Sequence, residues 1–298
     1  MNGFLNDFKN AWDKPNNAVA QIIIINVIVF VVHAILQVFT GERFFTAVYC
    51  HFAVPSEFEV FITRPWTIIA YAFTHSLNDP FHILFNMLVF YWFGKLIEEY
   101  LGSSKVIAIY VWGAIFAGGL YLFAYNLLPF YQNFTSAILV GASGSVYAMM
   151  VAAATLLPDY RFFLLFIGPV RIKYIAAVLI FFSFLFSVGQ NAGGNLAHLG
   201  GALLGYLFIV RLHRGSDWSK PVMAVLNFLK GLFTKKPRIK VTHRRESFDS
   251  YRPASRDAKS TQRPDQNEID LILDKISEKG YESLTAEEKE KLFNASRK

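Results

Sequence analysis

Ser143 and His198 are the two residues whose surroundings suggest covalent chemistry. Ser143 stands in Gly141-Ala142-Ser143-Gly144, at the head of an apolar run rich in small residues. A serine at a helix N-terminus sits beside backbone N–H groups that have no intrahelical partner and can stabilise an oxyanion. The flanking glycines let another backbone or a substrate come close. His198 stands in a glycine-rich run from Gly193 to Gly201, with Gly205 four residues further on. That small-xxx-small spacing brings membrane helices into contact, and a neutral imidazole on such a face could take a serine proton. His82 and Asn86 are four apart, so they share one helix face, and both side chains can donate hydrogen bonds to an oxyanion. Each feature also has a plainer explanation. Serine packs well in a small-residue helix, and His and Asn often bridge membrane helices. Together they supply nucleophile, base and oxyanion donors, the roles acyl transfer requires. Ser145 competes with Ser143 but points about 200° around the helix from it.

The elements that must position these groups read as membrane helices. The chain has 298 residues, 54% of them apolar and only 17% charged, against about a quarter charged in soluble domains. Most charges follow Arg211, while the stretch from Ala18 to Val210 is nearly bare of them. A membrane domain followed by a soluble tail is expected. The net charge of +7 fits basic residues flanking membrane helices on their cytoplasmic side, and no nucleic-acid partner is inferred. The one cysteine, Cys50, cannot form an internal disulfide.

Six apolar segments are expected to span: Ala18–Phe39, Phe81–Leu101, Val106–Leu128, the short Gly141–Leu157, Ile172–Val188 and Leu196–Val210. Loops two and four and the tail carry Lys and Arg, whereas Pro129–Val140 and Gly189–Asn195 carry no charge. Both termini are therefore expected in the cytoplasm. Loop one, Thr40–Pro80, is long and half apolar, so it should lie in the interface. Gly189, Gly193 and Gly194 give loop five the freedom expected of a lid. The expected domains are a cytoplasmic segment at 1–17, a membrane domain at 18–213, a basic, partly disordered linker at 214–266 and a helical hairpin at 267–298. Within the linker, apolar residues at helical spacing from Lys220 to Phe233 suggest a membrane-surface helix. Asp265/Glu268 and Thr285/Glu288 have capping-box spacing.

The chain resembles the rhomboid family of intramembrane serine proteases across roughly Ala18–Arg211. The resemblance rests on the Gly-x-Ser-Gly motif at Gly141–Gly144, the His-x3-Asn motif at His82–Asn86 and the Ala-His-x2-Gly motif at Ala197–Gly201. Tyr147 matches a family tyrosine that packs on the histidine. Gly94, Glu98, Gly102 and Ser103 match the pattern that ends the second helix, and His75 matches a buried loop-one histidine. One departure stands in loop one, where Trp66 is followed by Thr67 instead of Arg, and Arg64 lies two residues before it.

The resemblance implies an all-α, six-transmembrane-helix bundle of the bacterial type with a cytoplasmic C-terminal tail, in the bacterial inner membrane. It implies a serine-type endopeptidase that cleaves transmembrane segments of membrane proteins within the lipid bilayer. Ser143 and His198 would be catalytic, with His82, Asn86, Gly141, Ala142, Gly144 and Tyr147 in support and Gly201 and Gly205 packing the helices. No Asp or Glu lies between Glu99 and Asp159, or from there to Asp217. A dyad without a catalytic carboxylate is therefore expected, with no metal and no cofactor. A catalytically inactive rhomboid-like binding or trafficking factor is the alternative. A transporter lacks paired half-length segments and an acidic ion site, and the tail leaves room for an unknown cytoplasmic partner.

Overall fold

The computed structural model describes residues 12, 14, 16–134, 136–165, 167–189, 191–233 and 266–296. Most of the expected N-terminal segment, linker residues 234–265 and the capping box expected at Asp265 lie outside the described residues. The chain divides into two compact units, Met1–Pro237 and Arg238–Lys298.

Among the described residues four helices, all in the first unit, are long and apolar enough to cross a membrane. They are α1 (Ala18–Phe39), α5 (Pro80–Leu101), α6 (Ser103–Leu127) and α9 (Ala192–His213). At 1.5 Å per residue, their 22 to 25 residues reach at least about 33 Å, which matches the ~30 Å hydrocarbon layer. The other two expected spans are shorter. Helices α7 (Ser143–Leu156) and α8 (Ile172–Leu185) have 14 residues each, about 21 Å of helix. A 3-10 turn, Phe186–Val188, extends α8.

Loop one folds into α2 (Glu42–Cys50), α3 (Phe58–Thr63), α4 (Thr67–Ala70) and a 3-10 turn at Tyr71–Phe73. Between them β1 (Val54–Pro55) pairs antiparallel with β2 (Ile138–Leu139), placing Val54 opposite Leu139. Asn126 fixes the same corner, donating to the Ser56 carbonyl at 2.9 Å and accepting from the Phe58 N–H at 3.2 Å. Arg64 and Trp66 hold the end of α2. Arg64 Nη1 donates to the Cys50 carbonyl at 2.8 Å and Trp66 Nε1 to the His51 carbonyl at 2.9 Å. Loop four is a β-hairpin, with β3 (Arg161–Leu164) paired to β4 (Gly168–Arg171).

Local chemistry explains where the helices around the site begin. Asp79 accepts from the Phe81 N–H at 3.1 Å, and Pro80 occupies the first position of α5, where its missing N–H is harmless. Ahead of α9, Asn191 adopts the left-handed conformation with φ 56°. The helix therefore begins at Ala192, four residues before the expected start. Gly193 and Gly194 are buried in its first turn, so they belong to the helix and not to the loop in which they were expected.

In a bilayer helices are held by close packing and interhelical hydrogen bonds, because lipid is as apolar as the side chains. Helix α9 packs most extensively on α7 and next on α6. A Cβ at Gly201 would collide with the Gly144 carbonyl oxygen, and one at Gly205 with the Ala148 carbonyl oxygen. These two contacts set the distance between the helices that carry Ser143 and His198. A buried polar knot ties the other end of the bundle. Glu98 Oε1 accepts from the Val19 N–H at 3.2 Å and the Ser103 hydroxyl at 2.8 Å, and its Oε2 lies 2.7 Å from Lys95 Nζ. Inside the bundle Asn26 donates to the Tyr110 hydroxyl at 3.0 Å, which donates to the Ala72 carbonyl at 2.6 Å.

After α9, Lys105 meets Asp217 at 2.7 Å. Trp112 Nε1 donates to the Trp218 carbonyl at 2.9 Å. These bonds dock the start of α10 (Ser219–Phe233) on α6.

The second unit contains α11 (Gln266–Lys279) and α12 (Ala286–Ser296), separated at Gly280, whose φ is 79°. Thr285 and Glu288 form a reciprocal capping box. Glu288 Oε2 accepts from the Thr285 N–H at 2.7 Å, and Thr285 Oγ1 accepts from the Glu288 N–H at 3.3 Å.

Candidate active site

Ser143 is the first residue of α7, with Ala142 preceding the helix. At 14 residues α7 is about 10 Å shorter than the ~30 Å hydrocarbon layer. A cavity of about 710 Å³ opens over the start of this helix, and Ser143, His198, His82, Asn86 and Tyr147 all line it. Strand β2 forms one wall through Ile138 and Leu139, and Ser76 and Asp79 contribute polar atoms. The cavity is far larger than the ~30 Å³ of a single water.

The two serines of this segment face different surroundings. Ser145 is fully buried and donates to the Tyr110 carbonyl at 2.7 Å, away from the cavity. Ser143 lines the cavity.

His198 is stacked on Tyr147, with ring centroids 4.2 Å apart and planes 8° apart. The two residues come from α9 and α7, whose separation Gly201 and Gly205 set. His198 Nδ1 lies 3.2 Å from the Ser183 hydroxyl, which also donates to the Tyr147 hydroxyl at 3.0 Å. Ser183 sits on α8 and is 2% exposed.

His82 lies directly over Gly141. Gly141 has φ 114°, and a Cβ there would stand 2.7 Å from His82 Nε2, so both the backbone and the ring require glycine. Asn86 Nδ2 donates to the His82 carbonyl at 2.9 Å, which leaves its second N–H for the cavity. The Ala142 N–H donates to His75 Nε2 at 3.3 Å. The Ala142 amide is therefore engaged, and the Ser143 N–H is the backbone donor of the pair that faces no such partner. Gly144 is buried against Ala117 and lies under Gly201.

Two features of the site were not anticipated from the sequence: Ser183, and the bond from His75 to the Ala142 amide. A signal for Ser183 existed. It is the one polar residue from Ile175 to Phe186, and polar residues within membrane segments are costly enough to be suspected of a role.

A mostly helical, multi-pass integral membrane protein, with a cavity lined by serine and histidine at the head of a short helix, is the class that this fold and site define. The Rhomboid domain pattern matches residues 63–215, and a family of unknown function, DUF6576, matches residues 258–298. The chain is 31% identical over 157 residues to "Rhomboid protein 1, mitochondrial" of Saccharomyces cerevisiae, covering 50% of this chain and 42% of that protein. It is 29% identical over 162 residues to "RHOMBOID-like protein 12, mitochondrial" of Arabidopsis thaliana, covering 51% and 48%. It is 31% identical over 147 residues to "Rhomboid protease GlpG" of Haemophilus influenzae, covering 48% and 67%. The chain thus spans less than half the length of the two mitochondrial relatives. It belongs to the rhomboid family.

Proposed function

We propose that this protein is an intramembrane serine endopeptidase that cleaves transmembrane segments of other membrane proteins. The observation that carries this reading is the convergence of Ser143, His198, His82 and Asn86 on one cavity. In the proposed reaction His198 takes the proton of Ser143, whose oxygen attacks the scissile carbonyl. The oxyanion receives hydrogen bonds from the Ser143 N–H, His82 and Asn86. His198 then protonates the leaving amine, and water, activated by the same histidine, hydrolyses the acyl-enzyme. The stacked Tyr147 ring limits rotation of the imidazole.

The substrate must present an unfolded peptide bond, so a membrane helix with small or helix-breaking residues near the cut is expected. In the proposed topology α1, α5, α6, α7, α8 and α9 cross the bilayer of a bacterial inner membrane. Both termini are cytoplasmic and the cavity opens to the outer face. Helix α10 lies on the inner surface, with Val225, Phe228, Leu229 and Leu232 exposed along one side and lysines on the other. The helical pair after residue 266 is a candidate site for a cytoplasmic partner. The test is cleavage of a reporter transmembrane substrate in proteoliposomes by wild-type and Ser143→Ala proteins. Loss of cleavage in Ser143→Ala supports the reading, and retained cleavage refutes it.

A further inference from the structure

We infer that Ser183 is the positioning residue of His198, a neutral hydroxyl standing where a triad would place a carboxylate. This rests on the proposed protease reading. Three observations carry it. First, α8 otherwise turns phenylalanines outward at 181, 182 and 184, yet its one serine in this stretch is buried to 2% exposure. A hydroxyl there is costly unless its bonds are made. Second, its bonds go to the site. Thr155 on α7 and Thr40, which caps the end of α1, donate back to the carbonyls of Val151 and Leu36, a common course for a hydroxyl at a helix. Ser183 instead reaches Tyr147 and His198.

Third, the arrangement accommodates the tautomer that a base needs. A serine hydroxyl has one proton. In the inferred arrangement that proton goes to the Tyr147 oxygen, 3.0 Å away, and His198 Nδ1–H donates to Ser183 Oγ across 3.2 Å. Nε2 then carries the lone pair that takes the Ser143 proton. During the reaction the Ser143 proton moves to Nε2 and later to the leaving amine. The Nδ1 proton stays on the ring, bonded to Ser183 before and after, so no net proton passes through Ser183. A neutral acceptor bonds imidazolium less strongly than a carboxylate does. Ser183 is therefore expected to contribute less than the ~10⁴-fold that tautomer control supplies in a full triad.

The experiment uses the full chain. Histidine labelled with ¹⁵N reports which ring nitrogen of His198 carries the proton, with the signal assigned by its loss in His198→Gln. Wild type is expected as the Nδ1–H tautomer, and Ser183→Ala as a mixture with Nε2–H. In proteoliposomes Ser183→Ala should lower kcat by about 10-fold or more, short of the ~10⁴-fold of a triad carboxylate, with KM unchanged. The lost hydrogen bonds lower its melting temperature by a few degrees, as in Ser145→Ala, whose kcat stays near wild type, and Ser183→Thr should recover most of the rate. An Nε2–H tautomer in wild type overturns the inference without any variant. So does a Ser183→Ala protein with wild-type kcat while Ser143→Ala is dead. Equal inactivity of wild-type and Ser143→Ala proteins would instead overturn the protease reading, and the tautomer would still decide the role of Ser183.

Discussion

At position 201 a single methyl group would fall on the carbonyl oxygen of Gly144. Gly201→Ala must push α9 away from α7, and overpacking of this kind costs about 1–3 kcal/mol. It also moves His198 from Ser143, so both melting temperature in detergent and cleavage rate should fall. Gly141→Ala acts differently. Its φ of 114° is strained for alanine by about 1–3 kcal/mol, and the new Cβ displaces His82, so kcat should fall with little change in KM. Ser145→Ala is the contrasting case. It loses one hydrogen bond, worth about 0.5–1.5 kcal/mol, and cleavage should stay within a few-fold of wild type. Sequence reasoning singled out Ser143, His198, His82 and Asn86, which line one cavity, because polar residues stand out in apolar runs and helix spacing assigns their faces. It could not see that the Ala142 amide is taken by His75, since that bond joins residues 67 positions apart.

At the scale of elements, two polar ties hold helix ends. Glu98 joins α1, α5 and α6, so Glu98→Ala should cost about 1.5–3 kcal/mol, and Glu98→Gln, which keeps one acceptor, should cost less. Thermal unfolding in detergent measures both. Asp217 docks α10. Burial pushes its carboxyl up, but the Lys105 ammonium and the Ser219 hydroxyl and N–H outweigh this and hold it at about 2, below the ordinary 3.8. A folded value below the unfolded one gives stability that is present above about pH 4 and lost as pH falls through about 2. Wild type should therefore melt above Asp217→Asn near neutral pH, with the gap closing by about pH 2. The ends of α1, α5 and α6 were legible to within three residues, because hydropathy, Asp79-Pro80 and Gly102 mark them. The start of α9 was not, because a charge-free, glycine-rich segment reads as a loop. Tertiary packing of Gly193 against Tyr121 and Tyr125 makes it helix. The β3–β4 hairpin escaped because its charged segment between two apolar runs reads as a loop, and its strands are only four residues each.

At the scale of the whole molecule, the uneven placement of charge separated a membrane portion from a tail without any structure. The same charges predict orientation. A reporter that fluoresces only in the cytoplasm, fused after Lys298, should be bright, and one inserted in the Pro129–Val140 loop should be dark. The shortness of α7 was partly visible in its small-residue run, but the cavity was not, since it depends on β1 and β2 pairing across more than eighty residues. The central claim is that one serine on this cavity is a nucleophile activated by one histidine. A fluorophosphonate probe tests it most directly, because the probe reacts only with such a serine. Labelling of wild type and of Ser145→Ala, lost in both Ser143→Ala and His198→Ala, is the predicted result. Labelling that persists in Ser143→Ala would contradict the account.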